Sequence, residues 1–166
     1  ALSACYTAAL LDLLKIPFNN ASLFKTAYEG EKFFHGNPSG GDLAVVIEGG
    51  LLYFRKEFEF LKNFSNLDFK IPGDINNFYV INSGKPEEST LDMVKSVGEL
   101  KDTYTQKINL IFFDQELQTK NLVLALKDGN ENLLKDSIKN GEVNLEEIKV
   151  VGHTAKKIIR GIEKIG

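Results

Sequence analysis

The sequence predicts an α+β fold. Two strand-like apolar runs, residues 43–48 and 51–56, lie in the first half of the chain, whereas apolar residues recur at helical spacing through most of the second half. Strands and helices that occupy separate stretches, without regular alternation, are typical of this class. With 166 residues, 43% of them apolar, the chain suits one domain or two small ones.

The first two elements are predicted to be helices. Residues 2–15 carry apolar or small side chains on nearly every helical face, so we expect this helix to be buried. A turn at Asn19-Asn20 leads into a second helix over residues 22–34, in which Phe24 and Ala27 recur at helical spacing.

A β-hairpin is predicted next. Gly49-Gly50 joins the two strand-like runs, and a Gly-Gly link is typical of the tight turns that need positive φ. Residues 58–64 are expected to extend the sheet or to pack beside it. After a break at Pro72-Gly73, residues 76–82 read as a short buried strand, and residues 83–88 as a loop.

The remainder is predicted to be helical. Residues 89–104 form a helix that Ser89 caps, with Asp92 placed as in a capping box. Further helices are expected at about 107–127, 130–139 and 144–165. Breaks between them are predicted at Asp128-Gly129 and Asn140-Gly141.

Composition excludes several classes of function. The net charge is −3 without a basic stripe, which argues against a nucleic-acid partner, and the longest apolar run is too short to cross a bilayer. Cys5 is the single cysteine, so neither an internal disulfide nor a multi-cysteine metal site can form. We expect Cys5 to be a buried structural thiol, and the protein to work in a reducing, cytoplasmic compartment without a membrane partner.

A glycine-rich loop before an acid is the first candidate for chemistry. Gly36, Gly40 and Gly41 leave the backbone open to an anion, and Asp42 follows at the predicted junction of loop and strand. There it could take or orient the proton of a substrate hydroxyl during phosphoryl transfer. The structural alternative is an Asp that closes a turn through its own backbone. No Gly-Lys-Ser/Thr follows, so the loop is not a P-loop.

Glu31 and His35 are further candidates on the same segment. If the loop folds back, Glu31 and Asp42 could face one space, where a hard cation such as Mg²⁺ would suit them. Glu31 could equally be a solvated surface acid. His35 follows two phenylalanines and could be packed or hydrogen-bonded rather than catalytic.

Ser89 and Thr90 begin a predicted helix. The hydroxyls and the free N–H groups there could hold a phosphate or a carboxylate, although a plain helix cap explains them as well. Lys85, in the preceding loop, could be an ordinary exposed lysine.

Several segments in the same order resemble the GHMP kinase superfamily and, within it, the mevalonate kinases. Residues 27–42, AYEGEKFFHGNPSGGD, are similar to that family's Gly-Glu, His-Gly-Asn-Pro-Ser-Gly and Asp block. Residues 48–56 resemble its Gly-Gly hairpin, and residues 82–97 its Thr-Gly-x-Pro, Ser/Thr and Val helix. Residues 1–14 resemble the helix after its phosphate loop. The resemblance covers about residues 1–100, and beyond it only the helical pattern fits.

The resemblance implies roles for individual residues. Asp42 falls on the family's catalytic aspartate, and Glu31 on the glutamate that binds the Mg²⁺ accompanying ATP. Thr90, and less directly Ser89, falls on the hydroxyl residue near the transferred phosphate. The residues implied to line the mevalonate side are His35, Gly36, Asn37, Ser39 and Thr90.

The resemblance also implies two domains. Residues 1–73 would be the end of an S5-like N-terminal domain, and residues 74–166 an incomplete, helix-rich, ferredoxin-like C-terminal domain, with the boundary near residues 71–76. Both ends look cut from a longer protein, since the phosphate-cradling loop and the last glycine-rich motif are missing. Phosphoryl transfer depends on positioning and charge neutralisation, so we expect negligible kinase activity from these residues alone. Gly41 stands where family members often carry a branched apolar residue, which could loosen the aim of Asp42.

Two other hypotheses for the function are compatible with the sequence. The first is another GHMP small-molecule kinase, such as a phosphomevalonate kinase, which extra basic residues near the substrate loop would favour; only Lys32 and Arg55 are nearby. The second is a non-catalytic domain of the same fold. Apolar helix faces left uncovered by a cut core would also allow self-association, so a homodimer is included among the expected partners.

Overall fold

The computed structural model of the chain describes residues 2–35, 38–58, 61–75, 77–86 and 88–165, without the side chains of residues 34, 35, 61 and 74. It contains two compact units, Ala1–Phe69 and Lys70–Gly166. The described chain is mostly helical with a small two-stranded sheet, which is compatible with the α+β prediction. The assignment of the two units to the family's two domains stays a prediction.

The first unit contains three helices and one β-hairpin. Its elements are α1 (Leu2–Leu13), α2 (Asn20–His35), α3 (Gly41–Glu48), β1 (Leu52–Phe58) and β2 (Leu61–Asn66). Both predicted helices, α1 and α2, are therefore confirmed. The predicted turn at Asn19 caps α2, because the Asn19 side chain accepts from the Ser22 N–H and the Asn19 N–H donates to Ser22 Oγ, both at 2.9 Å.

The predicted strand over residues 43–48 is wrong, because this segment is the helix α3. A β-branched run, Val45 to Ile47, favours a strand on propensity alone. Leu43 and Ile47, however, lie at helical spacing and pack into the core of the first unit, and Ala44 is buried. Tertiary packing therefore outweighs a local preference that spans about 1 kcal/mol per residue.

The predicted Gly-Gly hairpin is also wrong. Gly49 and Gly50 have φ of 72° and 69°, so both need the positive φ that was expected, but they connect α3 to β1. The hairpin lies one step later, where β1 pairs antiparallel with β2 and Phe54 faces Phe64. The prediction that residues 58–64 extend a sheet or pack beside it is confirmed for residues 58 and 61–64, while residues 59 and 60 lie outside the described residues.

The core of the first unit lies where α1, α2 and α3 meet. Ala4, Ala27, Tyr28 and Leu43 are buried there, and Phe24 and Ile47 pack against them. Small residues from α1 and α2 allow the helices to approach closely, while Tyr28 and Leu43 fill the remaining space. Tyr28 thus belongs to the buried core of this unit.

The prediction that α1 is buried on all faces is wrong for the described residues. Ala4 is its one buried residue, whereas Leu2 is 81% and Leu13 76% exposed. Cys5 is exposed as well, so it is not the buried thiol that was expected. The packing of α1 against α2 and α3 uses only the narrow face that contains Ala4.

The second unit is helical in its described part. A short 3₁₀ helix (Gly73–Ile75) follows Pro72, and four helices come after it: α4 (Thr90–Thr103), α5 (Thr105–Asp128), α6 (Glu131–Glu147) and α7 (His153–Ile162). Its apolar core contains Ile108, Ile111 and Ile148, with Val97, Leu100 and Val150 packed against them. No strand occurs among the described residues of this unit, so the ferredoxin-like arrangement stays a prediction.

Two glycines in the second unit differ in role. Gly129, with φ of 67°, ends α5 as predicted. The predicted break at Asn140-Gly141 is wrong, since both residues lie inside α6. Gly141 is buried, and a Cβ there would lie 3.4 Å from the Gln115 amide, so this glycine allows α5 and α6 to pack closely. The break falls at residues 148–152 instead, where Lys149 has φ of 62°.

The prediction of a short buried strand at residues 76–82 is wrong for its described part, residues 77–82. These residues have no regular secondary structure, and Tyr79 and Val80 are 87% and 99% exposed. A strand needs a neighbouring strand to satisfy its backbone, and the described second unit offers none. No helix in the described ranges is long and apolar enough to cross a membrane.

Candidate active site

The predicted site residues fall into two groups. Glu31, Ser39 and Asp42 belong to the first unit, and Ser89 and Thr90 to the second. Of the remaining predictions, residues 36 and 37 and the side chain of His35 lie outside the described residues.

Asp42 is the second residue of α3, so the predicted junction of loop and strand is in fact a junction of loop and helix. Its neighbours Leu43 and Ala44 are buried and hold the helix in place, while Asp42 is exposed. The Asp42 side chain has no hydrogen bond or ion pair with the described residues. An acid in the first helical turn also interacts favourably with the helix dipole. The result is an accessible carboxylate on a fixed backbone.

The turn before Asp42 is closed by Ser39. The Gly41 N–H donates to Ser39 Oγ at 3.2 Å, which is a local side-chain turn. The structural alternative for Asp42, an Asp that closes a turn through its own backbone, is not seen, because its side chain makes no hydrogen bond with the described residues.

Gly40 is buried and has φ of 89°. A Cβ at this position would lie 3.1 Å from Phe24 Cζ and 3.2 Å from Tyr28 Cε2. The glycine at this position therefore serves both the left-handed backbone and the close approach of the loop to α2.

Glu31 is held by a residue from another helix. Ser3 Oγ on α1 donates to Glu31 Oε1 at 2.5 Å, and the Glu31 side chain is half-buried on α2. Helices α2 and α3 pack together, so the helices that carry Glu31 and Asp42 are neighbours. Glu31 is more constrained than the solvated surface acid considered above.

The carboxylate of Glu31 is compatible with the way Mg²⁺ is usually bound beside phosphates. No cluster of three or more histidine, cysteine or acidic side chains suitable for a metal occurs in the described part of the chain. Mg²⁺ in phosphoryl-transfer sites usually keeps several waters and takes one or two carboxylates plus substrate phosphates. The single oriented carboxylate of Glu31 could therefore supply the protein ligand of such an ion.

The loop that leads to Asp42 has two supports that local sequence patterns did not indicate. The Tyr28 hydroxyl donates to the Pro38 carbonyl oxygen at 2.8 Å, and Lys56 Nζ donates to the same oxygen at 3.0 Å. The two donors are 10 and 18 residues away from Pro38 in the chain. Long-range pairs of this kind leave no periodic signal in a single sequence.

In the second unit, Ser89 caps α4 as predicted. Its Oγ accepts from the Asp92 N–H at 3.2 Å and donates to Asp92 Oδ2 at 2.6 Å. Thr90 is the exposed first residue of the helix. The cap uses the Ser89 hydroxyl, so Thr90 is the residue of the pair whose side chain lies open to a ligand.

A cavity of about 340 Å³ lies beside this helix start. Lys85, Lys149 and His153 line it, together with Glu88 and Met93, whereas Ser89 and Thr90 do not. Its exposed cationic side chains give it a mixed, partly positive wall. Lys85, an ordinary loop lysine in one reading of the sequence, thus lines a cavity.

Comparison with known proteins gives two relatives with the same description. The chain is 29% identical over 145 residues to a mevalonate kinase of Schizosaccharomyces pombe, which is 84% of this chain and 35% of the relative. It is 26% identical over 118 residues to a mevalonate kinase of Aeropyrum pernix, which is 71% of this chain and 34% of the relative. The chain thus spans about a third of the length of these curated relatives.

Other comparisons add nothing to this relationship. No protein-family model matches the chain. No solved structure matches it either. The two matches support a mevalonate kinase-like relationship.

Proposed function

We propose that this chain is part of a longer enzyme that transfers the γ-phosphoryl group of ATP to the hydroxyl of mevalonate. The observation that carries the proposal is the 29% identity over 84% of the chain to a mevalonate kinase. The exposed carboxylate of Asp42, on an anchored helix, is the feature that a general base requires.

In the proposed reaction, Asp42 is the general base that accepts the proton of the mevalonate hydroxyl. As that oxygen forms a bond to the γ-phosphorus, the bond from this phosphorus to the β,γ-bridging oxygen breaks and ADP leaves. The hydroxyl proton passes to an Asp42 oxygen. Burial of Leu43 and Ala44 fixes the backbone of this residue, which keeps the carboxylate aimed while the bond forms.

Glu31 is assigned the Mg²⁺ that accompanies ATP. The bound ion would neutralise phosphate charge during transfer. The hydrogen bond from Ser3 restricts the rotamers of Glu31 before any ion arrives. We propose that Thr90 lies near the transferred phosphate. Ser89 caps α4 and so fixes the start of the helix that carries Thr90.

The proposal is tested with the natural full-length protein that carries this chain. Release of ADP is measured with ATP, Mg²⁺ and either mevalonate, phosphomevalonate or an unrelated alcohol such as homoserine. We expect turnover of about 1–100 s⁻¹ with mevalonate, which is typical of kinases, and at most a few per cent of it with the others.

The other outcomes decide between the readings left open by the sequence. Faster turnover with phosphomevalonate would make the protein a phosphomevalonate kinase. Absence of turnover with every acceptor, for a protein that is folded and binds Mg²⁺-ATP, would refute a catalytic role.

A further inference from the structure

We propose that Tyr28 and Lys56 are positioning residues that together hold the loop preceding Asp42. This inference rests on the proposed function, since the loop would line the alcohol substrate. Neither residue is assigned contact with a substrate. Both act through the backbone of Pro38, which lies four residues before Asp42.

The two side chains share one acceptor. The Pro38 carbonyl oxygen receives the Tyr28 hydroxyl at 2.8 Å and Lys56 Nζ at 3.0 Å. A carbonyl oxygen has two lone pairs, so both bonds can form at once. The donors come from different elements, α2 and β1, and the loop is thereby tied to both.

Tyr28 is itself fixed from several sides. It is 4% exposed, and its ring stacks on Phe24 with centroids 5.9 Å apart. Lys62 Nζ lies 4.1 Å from the ring centroid, a distance that allows a cation–π interaction. The hydroxyl therefore points at Pro38 from a ring that has little freedom to move.

The hairpin places Lys56 beside a second lysine that contacts Tyr28. Lys56 lies directly opposite Lys62 in the antiparallel pair, where two like charges are unfavourable. Lys56 Nζ donates to the Pro38 carbonyl oxygen, and Lys62 Nζ lies over the Tyr28 ring. Both lysines therefore face the same side of the sheet and contact the support of the loop.

Gly40 completes the arrangement. Because a Cβ at this position would lie 3.1 and 3.2 Å from the Phe24 and Tyr28 rings, the loop rests directly on these side chains. A shift of Pro38 would move Ser39 and the start of α3 with it. Loss of the two donors should therefore affect the alcohol side of the reaction and leave ATP binding unchanged.

The test is a double-mutant cycle in the full-length protein. The variants are Tyr28→Phe, Lys56→Met and the double variant, with Tyr6→Phe and Lys25→Met as exposed controls of the same chemistry. Each single variant keeps one donor on the carbonyl, so we expect losses of about threefold or less in kcat/KM for mevalonate. The double variant should lose about tenfold more than the product of the single losses, with the KM for ATP unchanged.

A second readout does not depend on activity. Amide hydrogen exchange of residues 39–42 should be about tenfold faster in the double variant and unchanged in both controls. Unchanged exchange in the double variant would overturn the inference, whether or not the protein phosphorylates mevalonate. If amide exchange is faster in the double variant but the losses in kcat/KM of the two single variants are independent, Tyr28 and Lys56 hold the loop without positioning it for the reaction. If the wild-type protein does not use mevalonate, the proposed function fails, and the exchange measurement still decides whether the two donors hold the loop.

Discussion

Ser3 and Glu31 are joined by a hydrogen bond of 2.5 Å between α1 and α2. The residues are 28 positions apart in the chain, and the bond orients the acid that the proposed function assigns to Mg²⁺. A hydrogen bond to a charged group contributes about 1.5–3 kcal/mol. This is enough to select one orientation of the carboxylate.

Ser3→Ala should weaken the response to Mg²⁺. Without the hydroxyl, Glu31 samples more rotamers, so the Mg²⁺ concentration for half-maximal activity of the full-length protein should rise by about three- to tenfold. Glu31→Gln should raise it further, whereas Ser65→Ala, at an exposed position on β2, should leave it unchanged. If the Mg²⁺ titrations of both Ser3→Ala and Glu31→Gln match the wild type, Glu31 does not bind Mg²⁺ and its role is structural.

Two neighbouring glycines should respond in opposite directions to alanine. Gly40→Ala should destabilise the first unit by about 1–3 kcal/mol, because the residue has φ of 89° and a Cβ would crowd Phe24 and Tyr28. Gly41→Ala should stabilise it by about 0.5–1 kcal/mol, since it begins α3 and its Cβ would make an ordinary contact of 3.5 Å with Phe54. Urea unfolding followed by circular dichroism measures both, and equal shifts of the two midpoints would contradict this account of the loop.

Asn144 is expected to be sensitive to a change of charge. Its side-chain amide donates to Asp114 Oδ2 at 2.7 Å and to Gln115 Oε1 at 3.2 Å, and the residue is buried between α5 and α6. Asn144→Asp would place a second carboxylate beside Asp114, so we expect a loss of about 2 kcal/mol or more at pH 7.

Acid should partly rescue that variant. Protonation of one of the two carboxyls would restore a donor, so the melting temperature of Asn144→Asp should approach that of the wild type as the pH falls toward 4. Asn140→Asp, on an exposed position of the same helix, is the matched control and should behave like the wild type. A pH-independent loss would show that the network around Asp114 is not electrostatic.

Glu142 should make stability depend on pH. Its side chain is 13% exposed, and Oε1 lies 3.1 Å from Arg160 Nη1 without a well-directed hydrogen bond among the described residues. Burial raises the pKa of Glu142 above its ordinary value of about 4.5, although Arg160 opposes the shift. Because the pKa of Glu142 is higher in the folded than in the unfolded state, the folded state favours the protonated carboxyl. The stability that this protonation contributes is fully present below the unfolded-state pKa and is lost as pH rises through the folded-state pKa.

Glu142→Gln isolates this contribution. The melting temperature of the variant, relative to the wild type, should be higher at pH 7 than at pH 4, because the amide cannot ionise. Glu99→Gln, at an exposed position on α4, should show the same difference at both pH values. A larger relative benefit of Glu142→Gln at pH 4 than at pH 7 would reverse the sign and contradict the burial argument.

Local patterns predicted those elements whose signals are local. The cap at Ser89 and the end of α5 at Gly129 depend on residues within one turn, and both were correct. The segment from Leu43 to Glu48 was predicted wrongly, because its β-branched residues favour a strand while its packing against α1 and α2 favours a helix. Gly141 misled in the same way, since its role is in a helix–helix contact and not in a turn.

The candidate site divides similarly. Glu31 and Asp42 stay predictions, and they could be named from the sequence because acids beside a glycine-rich loop are visible there and match a known motif in order. Ser3, Tyr28 and Lys56 were missed, because each acts on a residue 10 to 28 positions away and the contact exists only after the helices and the hairpin have packed. Contacts of this kind are thus harder to predict from a sequence than a candidate acid beside a glycine-rich loop.

The most direct test of the central claim is Asp42→Asn in the full-length protein. The amide has the shape of the carboxylate but cannot accept the substrate proton, and the exposed position makes misfolding an inadequate explanation for a loss. We predict that kcat with mevalonate falls by at least about 10²-fold, while the KM for ATP and the melting temperature stay close to those of the wild type. Retention of more than about half of the wild-type kcat would contradict the assignment of Asp42 as the catalytic base.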